Sequence, residues 1–334
     1  MLGLTRLVQT AAWYSGPRLT TYYEKFTTST TWTAPVGVSS IKLLVVAGGG
    51  SGGFTAGGGG GAGGVRYQAA ANVTAGTTYT ITIGAGGSKP TVDGTNGNPG
   101  ANSSVTGSGF SNVTARGGGY GAHGSTGSAG YGGDGGSGGG AGYYNATSGT
   151  STGGIAVDGN GVEGWYGGNS ESVDFAVYGS NYPFVAGGGG GAGSGSYPYG
   201  GWVTGGPGQY YWKGGDGGSG ILDANVGGLL GATTSGVNGR IAGGGGGGVN
   251  WQDSLYGAFG SAYGVPGVGG SGGGGNGGEV FAVSPYATHY NSTQGVNTTM
   301  ASSGTVNTGS GGGAGQESTN GAGGSGIVIL SYQL

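Results

Sequence analysis

The clearest hydrophobic pattern in the chain is Ser40-Ile41-Lys42-Leu43-Leu44-Val45-Val46, in which polar positions disappear after Lys42. A short run that is apolar at both odd and even positions predicts a strand buried on both faces. Ile327-Val328-Ile329-Leu330, late in the sequence, reads the same way. The β-branched run 27–33, ending at Trp32 and followed by the turn Ala34-Pro35-Val36-Gly37, predicts another strand. Tyr79-Thr80-Ile81-Thr82-Ile83 alternates cleanly and predicts a half-buried strand. Residues 65–70 and 79–83, joined by a turn region at 71–77, predict a hairpin, and residues 103–106 and 112–116 add two short strands. The late apolar strand is expected to pair with these early elements and so close a small β-sandwich base.

Between the strands lie glycine runs. From Gly118 to Gly142 every third residue is glycine without exception, and Ala, Ser, Thr and a few larger residues stand between. A period of three belongs to neither an α-helix nor a β-strand. It belongs to the polyproline II helix, which has no internal hydrogen bonds. Unlike collagen, the run contains no proline, so it predicts a polyglycine II rod, roughly 80 Å long if unbroken at about 3.1 Å per residue. One rod cannot satisfy its own N–H and C=O groups, so several must pack together. The expected fold is all-β/irregular, a small β-sandwich base with a bundle of polyglycine II rods and almost no helix beyond an N-terminal arm. The expected segments are an attachment arm at 1–21, a β-rich base at 22–116, a glycine-rich region with aromatic inserts at 117–325, and a C-terminal strand at 326–334 that returns to the base.

Composition sharpens this. Glycine supplies 99 of 334 residues, a level typical of disordered low-complexity chains. Here, however, the glycines alternate with well-formed strand patterns. Nine Lys and Arg stand against twelve Asp and Glu, with no basic patch, so nucleic acid is not an expected partner. No stretch of 18 apolar residues occurs, so no membrane insertion is expected, and residues 1–19 are too broken by polar positions to read as a secretory signal. Cysteine is absent, which excludes disulfides and thiolate metal sites. Charge concentrates in Met1–Lys25, which reads either as an ordered arm or as a segment docking on a larger assembly.

Candidate chemistry is sparse. Gly-x-Gly-x-x-Gly recurs, as it must at this glycine content, and carries no nucleotide-binding information without a strand–turn–helix context. Gly132-Gly133-Asp134 and Gly214-Gly215-Asp216 resemble a calcium-binding repeat, but the Asp is misplaced and tandem copies are missing. Two histidines and the scattered Glu163, Glu171, Asp174, Asp223, Asp253 and Glu279 single out no catalytic pair. No enzyme activity, catalytic residue, metal or cofactor is expected. Six Asn-x-Ser/Thr sequons occur (Asn72, Asn102, Asn112, Asn145, Asn291, Asn297), and with Ser and Thr this frequent chance explains most of them.

The aromatic inserts carry the signal. Residues 165–184 bring Trp165, Tyr166 and Tyr182; residues 197–212 bring Tyr197, Tyr199, Trp202, Tyr210, Tyr211 and Trp212. Residues 251–263 bring Trp251 and Tyr256, and residues 280–300 bring Tyr286 and Tyr290. Set among Gly, Ser, Asn and Thr, such rings resemble a paratope, with rigid amphipathic contact area beside small adaptable hydrogen-bonding groups. They are the candidate receptor-binding residues, with packing between rods or between subunits as the alternative use. All four inserts are expected at the end of the bundle away from the base.

Phe26, the run Trp32-Thr33-Ala34-Pro35-Val36-Gly37-Val38, and Leu43-Leu44-Val45-Val46-Ala47-Gly48-Gly49-Gly50 together resemble the opening of the glycine-rich domain of bacteriophage tail-fibre and adhesin proteins. Residues 77–87 (Thr-Thr-Tyr-Thr-Ile-Thr-Ile-Gly-Ala-Gly-Gly) and Gly323-Gly324-Ser325-Gly326-Ile327-Val328-Ile329-Leu330 are similar to its middle and end. The resemblance covers residues 22–334. It implies a virion protein, made in the host cytoplasm and placed at a tail fibre or tail tip. It implies mounting on other virion proteins, with Met1–Lys25 the expected contact, and recognition of a host surface glycan or outer-surface protein. It also implies a homo-oligomer, with a trimer favoured over a monomer on a trimeric shaft. The alternative is a non-tail structural protein: a head-decoration fibre, a surface filament or an ice-binding rod bundle, whose flat face the aromatic inserts would spoil. A depolymerase is the third class considered.

Overall fold

The computed structural model describes residues 7–9, 19–55, 57–124, 130–143, 151–159, 161, 163–170, 184–196, 199–206, 209–252, 263–282, 300–315 and 320–334. Strands Thr21–Phe26, Ser40–Val46, Val65–Asn72 and Ile327–Gln333 form one sheet, extended at its edge by Leu7–Gln9. The late strand Ile327–Gln333 sits inside this sheet, antiparallel to Thr21–Phe26 on one side and to Ser40–Val46 on the other. A second sheet runs Thr30–Thr33, Thr78–Thr82, Ser103–Thr106, Val113–Ala115, all antiparallel.

The two sheets face each other over one core. Leu43, Val45, Val328, Leu330 and Tyr332 meet Trp32, Tyr79, Ile81, Val105 and Val113 there. The Glu24 carboxylate is buried at its edge and accepts hydrogen bonds from Trp32 Nε1 (3.2 Å) and Tyr332 Oη (2.8 Å), so one acid ties both sheets. The alternate residues of the same central strands, Leu44, Val46, Ile327 and Ile329, point the other way into a second core. This is why residues 43–46 and 327–330 are apolar at every position.

The expected hairpin between residues 65–70 and 79–83 does not form. Val65–Asn72 pairs with Ser40–Val46 in the first sheet, and Thr78–Thr82 pairs with Thr30–Thr33 in the second. The intervening turn crosses the sandwich, with Ala71 and Val73 buried in the core and the Thr74 N–H donated to Tyr79 Oη at 2.8 Å. Burying apolar side chains of both arms between two layers outweighs a local hairpin that would expose one face.

The second core is closed by a segment the sequence did not single out. Asp223–Val226 is a short 3₁₀ helix and Leu229–Ala232 a single α-helical turn, and they bring Val226, Leu229 and Leu230 onto the outer face of the first sheet. The Asp223 carboxylate accepts the Leu230 N–H at 2.7 Å, satisfying one of the helical turn's free donors. Residues 221–222 and 240–241 pair around this insert, and a two-residue Asn238-Gly239 turn reverses the chain. Both turn residues have positive φ (51° and 69°), the conformation that Asn-Gly supplies at least cost. Among the described residues these are the only helical elements. The described residues of the N-terminal arm hold no helix, and Leu7–Gln9 is a strand.

The glycine runs form a lattice of rods with period three. Within residues 48–54, Gly48, Ser51 and Phe54 donate their N–H groups to Ala101, Asn98 and Thr95 of one neighbouring rod. Gly49 and Gly52 donate to Gly324 and Gly321 of a second, and Gly50 and Gly53 to Gly61 and Gly58 of a third. Successive residues therefore address three neighbours in rotation, as a three-residue helix requires.

Rod 57–64 lies at the centre. Its N–H groups bond to rods 116–122, 187–190 and 309–312, and its carbonyls accept from rods 47–53, 137–140 and 245–248. It thus has six neighbours, and a methyl group built on any of its glycines from 57 to 63 would overlap an atom of one of them, while at Gly64 it would overlap the Glu163 side chain. None of these glycines has positive φ. Here glycine is required by the closeness of approach.

The long run 117–142 is not one rod. Gly133 and Gly136 donate to Tyr120 and Gly117, antiparallel, whereas Gly119 and Ala122 donate to Ser137 and Gly140, parallel. The run therefore folds back twice, into rods 117–124, 130–135 and 137–142. A single rod of that length would leave most of its backbone groups without partners; folding back lets the three rods satisfy one another. Residues 48–64 and 84–101 also belong to the lattice, so base and rods interleave along the sequence.

Candidate functional site: the distal end of the rod lattice

Rod 57–64 enters strand Val65–Asn72, so its residue-64 end is proximal to the sandwich and its residue-57 end is distal. Register carries this polarity across the lattice. Gly59 donates to Gly187, and Gly245 and Gly248 donate to Gly60 and Gly57, so residues 187 and 248 lie at the distal side. The elements just beyond them are therefore distal too.

Two small sheets cap that end. In one, Val249–Gln252 pairs with Phe184–Val185 and, in parallel, with Glu279–Ala282, which sets Trp251 beside Phe281. In the other, Tyr199–Gly206 and Gln209–Lys213 form a hairpin, flanked by Asn169–Ser170 and by Tyr263–Val265. Its register makes Trp202 the partner of Trp212, Val203 of Tyr211 and Thr204 of Tyr210, and Tyr211 is in turn beside Tyr263.

The hairpin is rooted in the lattice by short-range bonds. Lys213 forms an ion pair with Asp216, whose Oδ1 accepts the Val268 N–H at 2.8 Å, and the Gly214 N–H reaches Val265 O at 2.8 Å. Gly215 donates to Ala186 at 2.8 Å, joining the foot of the hairpin to the foot of the first distal sheet. Asp134, in the other calcium-like sequence, likewise accepts a backbone N–H, that of Ile155.

The structure thus brings Tyr199, Trp202, Tyr210, Tyr211, Trp212 and Trp251 to one end of the molecule. Tyr182, Tyr197, Tyr256, Tyr286 and Tyr290 lie outside the described residues. Trp165 and Tyr166 are placed differently from expectation: Gly138 donates to Trp165 O near the proximal end of rod 137–142. There Trp165 covers the turn at Gly161, and Tyr166, 40% exposed, backs the turn at Gly195. The insert 165–184 begins proximally because a rod, 165–170, separates its first aromatics from the distal end. Phe281, Tyr263 and Phe184 were not among the sequence candidates; the apolar stretch Val280-Phe281-Ala282 beside a glycine run is the signal that marks the first of them.

The charged residues play structural parts. Glu163, its side chain only 1% exposed, pairs with Arg66 and accepts the Arg116 N–H at 3.0 Å, while Asp158 bridges Arg66 and Arg116. This cluster fastens Asp158 and Glu163 to the base strands that carry Arg66 and the residue after Val113–Ala115. Glu171, Asp174 and Asp253 lie outside the described residues. Among the described residues no group of three His, Asp or Glu stands close enough to hold a metal ion, and no helix is long and apolar enough to cross a membrane.

No curated protein matches the chain. Residues 25–226, more than half of the sequence, match the family model described as glycine-rich domain, a span that takes in the second sheet, strands Ser40–Val46 and Val65–Asn72 of the first, the central rod and the start of the insert on the second core, and leaves out Ile327–Gln333. The chain belongs to the glycine-rich domain family.

Proposed function

We propose that this protein is a non-enzymatic virion fibre or tail-tip adhesin, mounted through its sandwich end and N-terminal arm, that binds a host surface glycan or outer-surface protein through its distal aromatic end. The observation that carries the reading is polarity: the hairpin 199–213 and the strands at 249–252 and 279–282 converge at one end of the lattice, opposite the sandwich. A rigid rod bundle suits this task because it holds recognition loops at fixed spacing without ordering them on binding. Tyr and Trp positions among small polar residues fit stacking on sugar faces and hydrogen bonding to hydroxyls or peptide groups. In this reading the copies assemble side by side as a homotrimer, all distal ends facing the host.

Trp212→Ala and Trp251→Ala are expected to weaken adsorption to host cells by about 2 kcal/mol or more, roughly 30-fold, with the melting temperature unchanged. Equal adsorption by both variants would place recognition elsewhere. Loss of folding in both would assign the rings to packing.

A further inference from the structure

The order in which the rods and strands are contributed has a consequence for how the molecule forms. The central rod 57–64 is completed by neighbours at 48–54, 116–122, 137–140, 187–190, 245–248 and 309–312, spread over most of the sequence. The rod at 320–326 fills another lattice position, with Gly323 bonded to Gly87, Gly324 to Ser310 and Gly326 to Gly84. Directly after it, Ile327–Gln333 enters the middle of the first sheet, where it supplies Val328, Leu330 and Tyr332 to one core and Ile327 and Ile329 to the other. Without it, Thr21–Phe26 and Ser40–Val46 have no contact as neighbours, both cores lose a wall, and Glu24 loses its Tyr332 donor.

We propose that strand 327–333 acts as a completion latch: neither the sandwich nor the rod lattice acquires stable structure until this strand inserts, so folding is all-or-none and waits for residue 333. Two physical facts stand behind this. Rods have no hydrogen bonds of their own, so an incomplete lattice leaves backbone donors and acceptors exposed while still losing the large conformational entropy of glycine. Most tertiary contacts are long-range in sequence, so chain entropy is lost before the contacts that offset it can form. Chains made of independent domains behave differently, since their N-terminal parts fold during synthesis. The latch makes the fold a check on completeness between residues 21 and 333.

The test uses the full chain with a translation-arrest sequence fused after residue 334, separated by either a short linker or a long one. The short linker keeps residues 327–334 inside the ribosomal tunnel and the long one exposes them. Brief protease treatment should digest the short-linker chain like an unfolded polypeptide and leave the long-linker chain with a lifetime at least about tenfold greater, since cleavage tracks the population of the open form. A protease-resistant fragment within residues 21–326 on the short-linker chain would overturn the proposal. Pulsed hydrogen exchange during refolding of the purified chain supplies a second readout. Amides of rods 57–64 and 137–142 should gain protection in the same kinetic phase as those of 327–333. Earlier protection of the rods would overturn the latch.

Discussion

Gly60→Val is expected to leave the protein unfolded. Gly60 sits in the middle of the central rod, where its N–H donates to Gly312 O and its carbonyl accepts from Gly245, each at 2.8 Å. A side chain there would occupy the space of the Gly50 carbonyl group and crowd Ser51. The obstructing atoms are backbone, so no rotamer change relieves the clash. Moving rod 48–54 away breaks its alternating bonds to Gly58 and Gly61, and moving rod 57–64 disturbs six neighbours. Each bond lost costs about 1 kcal/mol, and each group left buried without a partner about 1–3 kcal/mol. A few such losses consume the roughly 5–15 kcal/mol that holds a typical domain together. The control is Gly76→Asn, in an exposed turn with φ +75° and no atom within 4 Å of an added methyl. Asn tolerates that conformation, so its change should stay within about 1 kcal/mol. Soluble yield and urea denaturation read both outcomes. A Gly60→Val protein as stable as the parent would mean that the rods are not packed this closely.

The second large effect is expected at the insert on the outer core. Leu229 and Leu230 are fully buried against Leu44, Val46, Ile327 and Ile329. Leu229→Ala and Leu230→Ala should each destabilise the protein by about 2–5 kcal/mol, the usual cost of a large-to-small change in a packed core. A loss below about 0.5 kcal/mol would show the insert to be an ornament on the sheet. Substitution of exposed Leu222, in the same insert, should have little effect on denaturation.

The strands were readable where burial left a pattern. Residues 43–46 and 327–330 are apolar at every position because each face of their sheet has its own core, and this is visible without knowing what fills the second one. The pairing of the late strand with the early ones followed from the same fact. The period of three was readable because, among the described residues, every third position from Gly118 to Gly142 faces a neighbour too closely for a Cβ. Where the run turns was not, since glycine passes through a fold-back as easily as it continues a rod. The central place of 57–64 was equally hidden: its six neighbours come from segments that sequence proximity does not connect. The insert at 221–241 carries one helical turn, too short to leave a periodic signal.

The candidate site was legible as composition and only partly as position. Trp202 and Tyr210-Tyr211-Trp212 lie in the paired strands Tyr199–Gly206 and Gln209–Lys213, and they reach the same end as Trp251 because the rods below them run alternately out and back. Trp165 and Tyr166 broke that scheme because the chain is still at the proximal end when it reaches them, and a further rod intervenes before the distal turn. Counting rods from sequence requires knowing every reversal, and the reversals are the least marked features of a glycine-rich chain.

The central claim is that glycine runs form the rigid interior of this molecule, as protected as its β-sheet core. Residue-resolved amide hydrogen exchange on the native protein tests it most directly. The account predicts that amides of 58–64, 137–142 and 244–248 exchange as slowly as those of Ser40–Val46, because each is buried and bonded to a neighbouring rod and opens only with global unfolding. Exchange of those glycines at the rate of an unstructured peptide, while Ser40–Val46 stays protected, would contradict it.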